Sequence, residues 1–316
     1  MLYLTEDEVD RLLTMEDSIH EVETALRDLG AGHAENRPRQ RVRGLHAILN
    51  VMAASWTARG YYGYKDYSIS REGTHFWFHL FDGSTGALVA VFQANRMGQR
   101  RTGAASGVAT KFLARKDAAV VGLVGTGWQA ESQVEAMCAV RPVTSVRCTS
   151  RDPGRREAFA ARMGKALGVD VVAVDSGERA VRGADIVIAA TASPTPVVRG
   201  EWLEPGVHVN AMGANRIDAR ELDDEAIRRF GFVAADSVEQ ARLEAGDLVQ
   251  PVRDGLLTWD RVHEISEVVS GQAAGRRSAE DRTLFKSLGI ALEDVAVAAL
   301  IYERARKEGV GKETDL

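Results

Sequence analysis

The run Val121-Gly122-Leu123-Val124-Gly125-Thr126-Gly127-Trp128-Gln129-Ala130 constrains this chain more than any other segment. An apolar stretch over 118–124 feeds directly into Gly-x-Gly-x-x-Ala. A helix-compatible stretch over 131–140 follows, and 143–149 reads as the next strand. Each small residue has a physical task. Gly125 lets the chain turn sharply out of the strand. Gly127 lacks a Cβ, so a pyrophosphate can approach the backbone. Ala130 lets the helix pack close to the strand, and the helix N-terminus offers unpaired N–H groups to phosphate. The motif alone is weak, since glycine-rich turns also occur without nucleotides. The strand–turn–helix–strand context makes it a dinucleotide-binding unit, with Trp128 and Gln129 in the turn.

The pattern alternates from there. Strand-like segments fall at 118–124, 143–149, 169–174, 185–190, 207–212 and 231–235, with helix-like segments between most of them. This predicts an α/β fold with a Rossmann-type doubly wound parallel sheet. Upstream, Thr5 with Glu8 and Thr14 with Asp17 read as helix starts, the second helix running to about 29. Residues 37–43 form a basic loop or strand. Segments 45–53, 58–68, 75–81 and 88–93 read as strands of an antiparallel or mixed sheet, with a turn at 82–86. Residues 102–113 read as a helix of small residues, and 284–306 as mostly helical, broken around Gly289. The predicted organisation is an NAD(P)-binding Rossmann domain over 116–291 and a second, α+β domain over 1–115, joined by a C-terminal helix at 292–316.

The 316 residues suffice for two domains. A net charge of −5 gives no broad electrostatic case for nucleic acid or anionic membrane. No apolar run is long enough to span a bilayer, and acid stands where a signal peptide would carry base. Cys138 and Cys148 read as buried thiols in a reducing compartment, so a cytoplasmic location is expected. No histidine or cysteine spacing suggests a metal.

The second strand of a dinucleotide fold usually ends in an acid that holds the ribose 2′-hydroxyl of NAD. Here it ends Cys148-Thr149-Ser150-Arg151-Asp152. Ser150 and Arg151 stand where a 2′-phosphate would sit, with Arg155 and Arg156 nearby. A guanidinium grips phosphate at two points, which favours NADP(H). NAD(H) stays open: Ser150 can equally cap the next helix, Arg151 can stack on adenine, and Asp152 is close. Farther on, Thr191-Ala192-Ser193-Pro194 follows a strand at the C-terminal edge of the sheet, where its backbone would border the nicotinamide ribose. Lys286-Ser287 either lines the site or caps a helix.

An ordered set of segments resembles the ornithine cyclodeaminase/μ-crystallin family. These are Gly63-Tyr64-Lys65, Phe81-Asp82-Gly83-Ser84-Thr85-Gly86, Arg101-Thr102-Gly103-Ala104-Ala105-Ser106, the glycine turn through Ala130, Gly213-Ala214-Asn215 with Glu221-Leu222, and Leu284 to Gly289. The resemblance implies a two-domain homodimer that acts on small amino and imino acids with NAD(P), the second domain, 1–115, serving substrate binding and dimerisation. It places Arg101 on the substrate carboxylate and Lys65 near the reacting centre. Thr102 falls with the cofactor-binding residues. Arg41 matches a second arginine by its spacing to Met52 and Lys65, with Arg39 and Arg43 as rivals. A guanidinium on the carboxylate orients the α-carbon for hydride transfer. A lysine among like charges can fall in pKa and deliver a proton to an imine.

One position departs from the family's cyclodeaminases. They carry an aspartate where this chain has Asn215, and an amide exchanges no protons at neutral pH. The expected activity is therefore NAD(P)-dependent imine (ketimine) reduction or amino-acid dehydrogenation, with Asn215 contacting the substrate nitrogen. The alternatives are a cyclodeaminase that recycles its NAD, or a μ-crystallin-like NADP(H)-binding protein without useful catalysis.

Overall fold

A computed structural model describes residues 1–315. The chain forms two compact units, one from residues 1–105 with 289 onward and the other from 106–288. The divisions fall earlier than the expected 115 and 291, the first of them inside a helix.

The first unit opens with β1 (Leu2–Leu4), α1 (Glu6–Leu12) and α2 (Met15–Gly30). Both helices start at the acids the sequence marks. The Glu8 carboxylate accepts from Thr5 N and Oγ1 at 2.9 and 2.8 Å. Thr14 Oγ1 donates to Asp17 at 2.8 Å and accepts from the Asp17 N–H at 3.1 Å. These exchanges satisfy donors that a helix start leaves open. There follow β2 (Ala34–Asn36), β3 (Gln40–Arg43), β4 (Ile48–Trp56), β5 (Tyr61–Ser70), β6 (Gly73–Asp82) and β7 (Leu88–Gln93). The helix α3 (Asn95–Leu113) begins seven residues before the expected Thr102.

The second unit winds β8 (Val120–Val124), α4 (Trp128–Val140), β9 (Ser145–Thr149), α5 (Pro153–Leu167), β10 (Asp170–Ala173), α6 (Gly177–Val181) and β11 (Ile186–Ala189). It continues with β12 (His208–Ala211), α7 (Asp224–Arg229), β13 (Phe232–Ala235), α8 (Val238–Glu244), α9 (Gly246–Arg253), β14 (Val262–Glu264), α10 (Ile265–Val269) and β15 (Thr283–Lys286). Its sheet runs β10-β9-β8-β11-β12-β15-β13-β14, and every pairing is parallel. Buried on both faces, these strands read as near-continuous apolar runs, such as Ile186 to Ala189 and Phe232 to Ala235.

One expectation is corrected here. Residues 284–286 belong to no helix. They are the buried strand β15, seated between β12 and β13. A short apolar run does not distinguish strand from helix by periodicity, and this one sits so close to a true helix that it read as its first turn. The helix itself, α11 (Ala291–Glu308), starts after Gly289, and β16 (Lys312–Glu313) closes the chain.

The first unit's sheet runs β16-β1-β7-β6-β5-β4-β2, with β3 also on β4. It is mixed, because β1 and β7 are parallel while the other pairs are antiparallel. α11 packs against α2 and across β4, β5 and β6. That packing aligns Met52, Lys65 and Phe78, cross-strand partners that are all buried, beneath the helix.

In the second unit the strand order reverses between β8 and β11, because β9 and β10 lie to one side and β11 and β12 to the other. Gly125 leaves β8 at this point with φ +105°, and a Cβ there would lie 2.3 Å from the Ala190 carbonyl oxygen. The position thus excludes side chains by conformation and by space. Gly125→Ala is expected to cost roughly 3 kcal/mol through strain and overlap, lowering Tm by roughly 6–12 °C in a domain of this size. A thermal melt within a degree of the parent would refute that account.

Candidate active site

Five charged side chains of the first unit gather beneath α11. Lys65 points from β5 and is buried, its Nζ 3.1 Å from Asp294 Oδ1. Arg101 comes from α3. Its Nε donates to the same Asp294 oxygen at 3.0 Å, and its Nη1 donates to Glu293 Oε2 at 2.7 Å. Arg39 donates through Nε to Met52 Sδ at 3.4 Å and through Nη2 to the Gly289 carbonyl at 3.2 Å. Met52 is the cross-strand partner of Lys65. The other carboxylate oxygen of Asp294, Oδ2, is buried and accepts no hydrogen bond.

The formal charges of the five are three positive and two negative. Burial pushes the Lys65 amine down to about 8, opposed by Asp294 and reinforced by Arg101 and Arg39. Removing a cation from water disfavours its charged form, and neighbouring guanidinium groups add to that. Lys65 therefore titrates where a proton can be exchanged near neutral pH.

Lys65 and Arg101 thus lie together, bridged by Asp294. Arg41 is exposed on β3, opposite Asn50, in a strand whose four residues are all exposed. Its rival Arg39 is buried and joins the cluster. The reason is local: the chain turns inward at Pro38-Arg39, between β2 and β3, and both residues are buried. Thr102 is buried in α3 and donates from Oγ1 to the Gly98 carbonyl at 2.7 Å. Glu293 and Asp294 went unremarked in the sequence, where two acids in the first turn of a helix look like ordinary helix-start residues.

In the second unit, Gly127 is the N-cap of α4, and Trp128 opens the helix, half exposed. Nothing lies within 4 Å of a Cβ placed on Gly127. The helix N-terminus is therefore open to an anion, as phosphate binding requires. Ala130 is buried, and Gln129 keeps a buried Oε1 that accepts no hydrogen bond. The residues present fit a dinucleotide.

At the end of β9, Ser150 Oγ accepts from Thr126 Oγ1 at 2.8 Å, which ties the glycine turn to this strand end. Arg151 is exposed. Asp152 is the N-cap of α5 and accepts from Arg155 N at 3.0 Å. Arg156 donates to the Ser150 carbonyl at 3.1 Å. Ser150 is not the cap of α5; Asp152 takes that role.

Beyond β11 and β12 lie Thr191, Ser193 and Asn215. Ser193 Oγ donates to the Thr195 carbonyl at 2.7 Å. Thr191 turns inward, donating from N and Oγ1 to Glu221 Oε1 at 2.6 and 2.8 Å. Asn215 is half-buried in the loop after β12. Glu221 has no exposed surface, and burial raises its carboxyl pKa against the pull of Lys286. Lys286 caps no helix; it ends β15 fully buried, with Nζ 2.9 Å from Asp247 Oδ2.

Among the described residues no cluster could hold a metal ion, and no helix is long and apolar enough to cross a membrane. The model of the ornithine cyclodeaminase/mu-crystallin family matches residues 1–309. A Delta(1)-pyrroline-2-carboxylate reductase from Bacillus cereus is 39% identical over 237 residues, 75% of this chain and 73% of that protein. The structure of the Thermococcus litoralis Delta(1)-pyrroline-2-carboxylate reductase with NADH and L-proline superposes with a TM-score of 0.95 at 34% identity, covering 99% of this chain and 100% of that one. An archaeal alanine dehydrogenase dimer with bound NAD gives 0.94 at 32% identity, covering 100% and 99%.

Asp294 supports the charged form of Lys65, so its loss has a defined sign. In Asp294→Asn the lysine is expected to titrate below the value of about 8 held in the parent. NMR titration with carbon-labelled lysine reads this directly. An unchanged or raised midpoint would contradict the arrangement described.

Proposed function

This chain belongs to the ornithine cyclodeaminase/mu-crystallin family, and from that premise we propose that it is an NAD(P)-dependent oxidoreductase that reduces small cyclic 2-imino acids at the α-carbon. The observation that carries this reading is the buried set of Arg39, Lys65 and Arg101, with Asp294 bridging the last two. A 2-imino acid presents a carboxylate next to a basic nitrogen. Arg101 and Arg39 supply planar donors for that carboxylate. Lys65, poised near 8, holds the proton that the imine nitrogen must gain. A bound reduced nicotinamide supplies the hydride.

Asn215 stands in the loop after β12 and orients the substrate nitrogen without exchanging its proton. This argues against ring-closing deamination, which needs an acid and base there. Ser150 and exposed Arg151 favour NADPH over NADH. Asp152 is engaged at the start of α5, where it accepts from the Arg155 N–H. The helix start at Gly127 to Ala130, with Trp128 beside it, takes the pyrophosphate. Thr191 and Ser193 flank the nicotinamide ribose, and Thr102 belongs to the same cofactor-binding set.

Val42, Ile48, Leu49 and Ile69 are exposed on β3, β4 and β5, and Leu45 is exposed in the turn between β3 and β4. Exposed apolar residues at this end of the sheet suit a partner surface, and a homodimer is proposed. Light scattering behind a sizing column should give twice the chain mass of 34.3 kDa; a monomer would refute it.

The activity is tested by oxidation of NADPH and NADH with five- and six-membered cyclic 2-imino acids, and with pyruvate plus methylamine. Turnover with cyclic substrates and a preference for NADPH are expected. Reduction requires protonated Lys65, so kcat/KM should fall as pH rises through about 8. Lys65→Met should lose that limb and roughly 10²–10⁴ in kcat, the usual worth of a positioned proton donor. No turnover across the panel would overturn the reading.

A further inference from the structure

The carboxylate of Glu221 has no exposure and yet makes four hydrogen bonds, divided between two loops. Oε1 accepts from Thr191 N and Oγ1, after β11. Oε2 accepts from Gly213 N at 2.7 Å and Ala214 N at 3.1 Å, after β12. Each oxygen serves one loop. The backbone beneath the carboxylate is fixed in turn, because Asp247 Oδ1 accepts from Glu221 N at 2.7 Å and Leu222 N at 3.0 Å. Asp247 Oδ2 is held by Lys286 Nζ. The two loops are in direct apposition. A Cβ on Gly213 would lie 2.1 Å from the Thr191 carbonyl oxygen and 2.6 Å from Glu221 Oε1.

The location gives this network its meaning. In a doubly wound sheet the dinucleotide lies across the carboxyl ends of the strands where the order reverses, here between β8 and β11. A Cβ on Gly125 would lie 3.0 Å from the Thr191 methyl group, so the phosphate-binding turn and the Thr191 loop adjoin. The end of β9, with Ser150 and Arg151, is on the adenosine side of the reversal. The loops after β11 and β12 are on the other side, where the nicotinamide half must rest.

We propose that Glu221 is a positioning residue that clamps the loops after β11 and β12 and thereby sets where the nicotinamide half of the dinucleotide, but not its adenosine half, is held. The inference rests on the dinucleotide reading given above. Glutamate is required by the donor count. An ionised carboxylate is acceptor-only and meets donors on both sides, whereas an amide must turn an NH₂ group toward one of the two loops. Lys286 and Asp247 act through Glu221.

The test uses the full chain and two ligands, the preferred reduced dinucleotide and its counterpart without nicotinamide, ADP-ribose or 2′-phospho-ADP-ribose. In Glu221→Gln, affinity for the dinucleotide should fall about tenfold, the scale of a lost charged hydrogen bond. Affinity for the truncated ligand should stay within about twofold. Thr191→Val removes only the hydroxyl contact and should shift the same ratio by less, which keeps the test open if the glutamine variant does not fold. Equal losses for both ligands, or no loss for either, would overturn the inference. A parent chain that binds neither ligand would instead overturn the dinucleotide reading, and the inference with it.

Discussion

Asp294 is the constraint on which the first unit depends. A carboxylate with no exposed surface survives only when its charge is answered locally, because desolvation otherwise favours the neutral acid. One oxygen of Asp294 answers both Lys65 and Arg101, which arrive from β5 and α3. Those elements are far apart in sequence and share no local reason to meet. The shared oxygen fixes the separation of two cations that would otherwise repel each other. Under the proposed function, a substrate carboxylate would meet a preformed arrangement and spend little of its binding free energy in assembling one.

The second unit answers a similar difficulty differently. Glu221 is buried as completely as Asp294, yet its direct partners are backbone N–H groups and one hydroxyl, with Lys286 a step away behind Asp247. Asp294 can release a partner and keep another, which suits a site where protons move. Glu221 has no such slack, since both oxygens are committed to loop backbone. Buried charge meets side-chain cations in one unit and loop backbone in the other.

How much of this the sequence disclosed follows from the range of each interaction. The glycine turn, the two helix starts at Thr5 and Thr14 and the parallel strands of the second unit depend on neighbours within a few residues, and all were legible. The strand at 283–286 was not. Its identity comes from the slot between β12 and β13, which no local pattern announces. Lys65 and Arg101 could be singled out through the family resemblance, but their partners could not. Glu293 and Asp294 look like routine helix-start acids until the helix is packed, and Asp247 has no sequence signal at all. Arg39 and Arg41 differ by two residues in a basic run. Only the inward turn at Pro38 separates the buried one from the exposed one.

The position of Glu293 and Asp294 in α11 has one more consequence. Both lie in the first turn of an 18-residue helix, where the aligned peptide dipoles place partial positive charge. That field favours ionised carboxylates, so the helix itself offsets part of the cost of burying them. The same two acids then hold Arg101 and Lys65. Ordering of the cluster is thus linked to formation of α11, which belongs to the first unit although the chain enters it only after completing the second. The cations of β5 and α3 are laid down early in the sequence, but the Asp294 carboxylate comes 229 residues after Lys65 and 193 after Arg101. The C-terminal helix therefore supplies the carboxylate that favours the charged form of Lys65 against its burial.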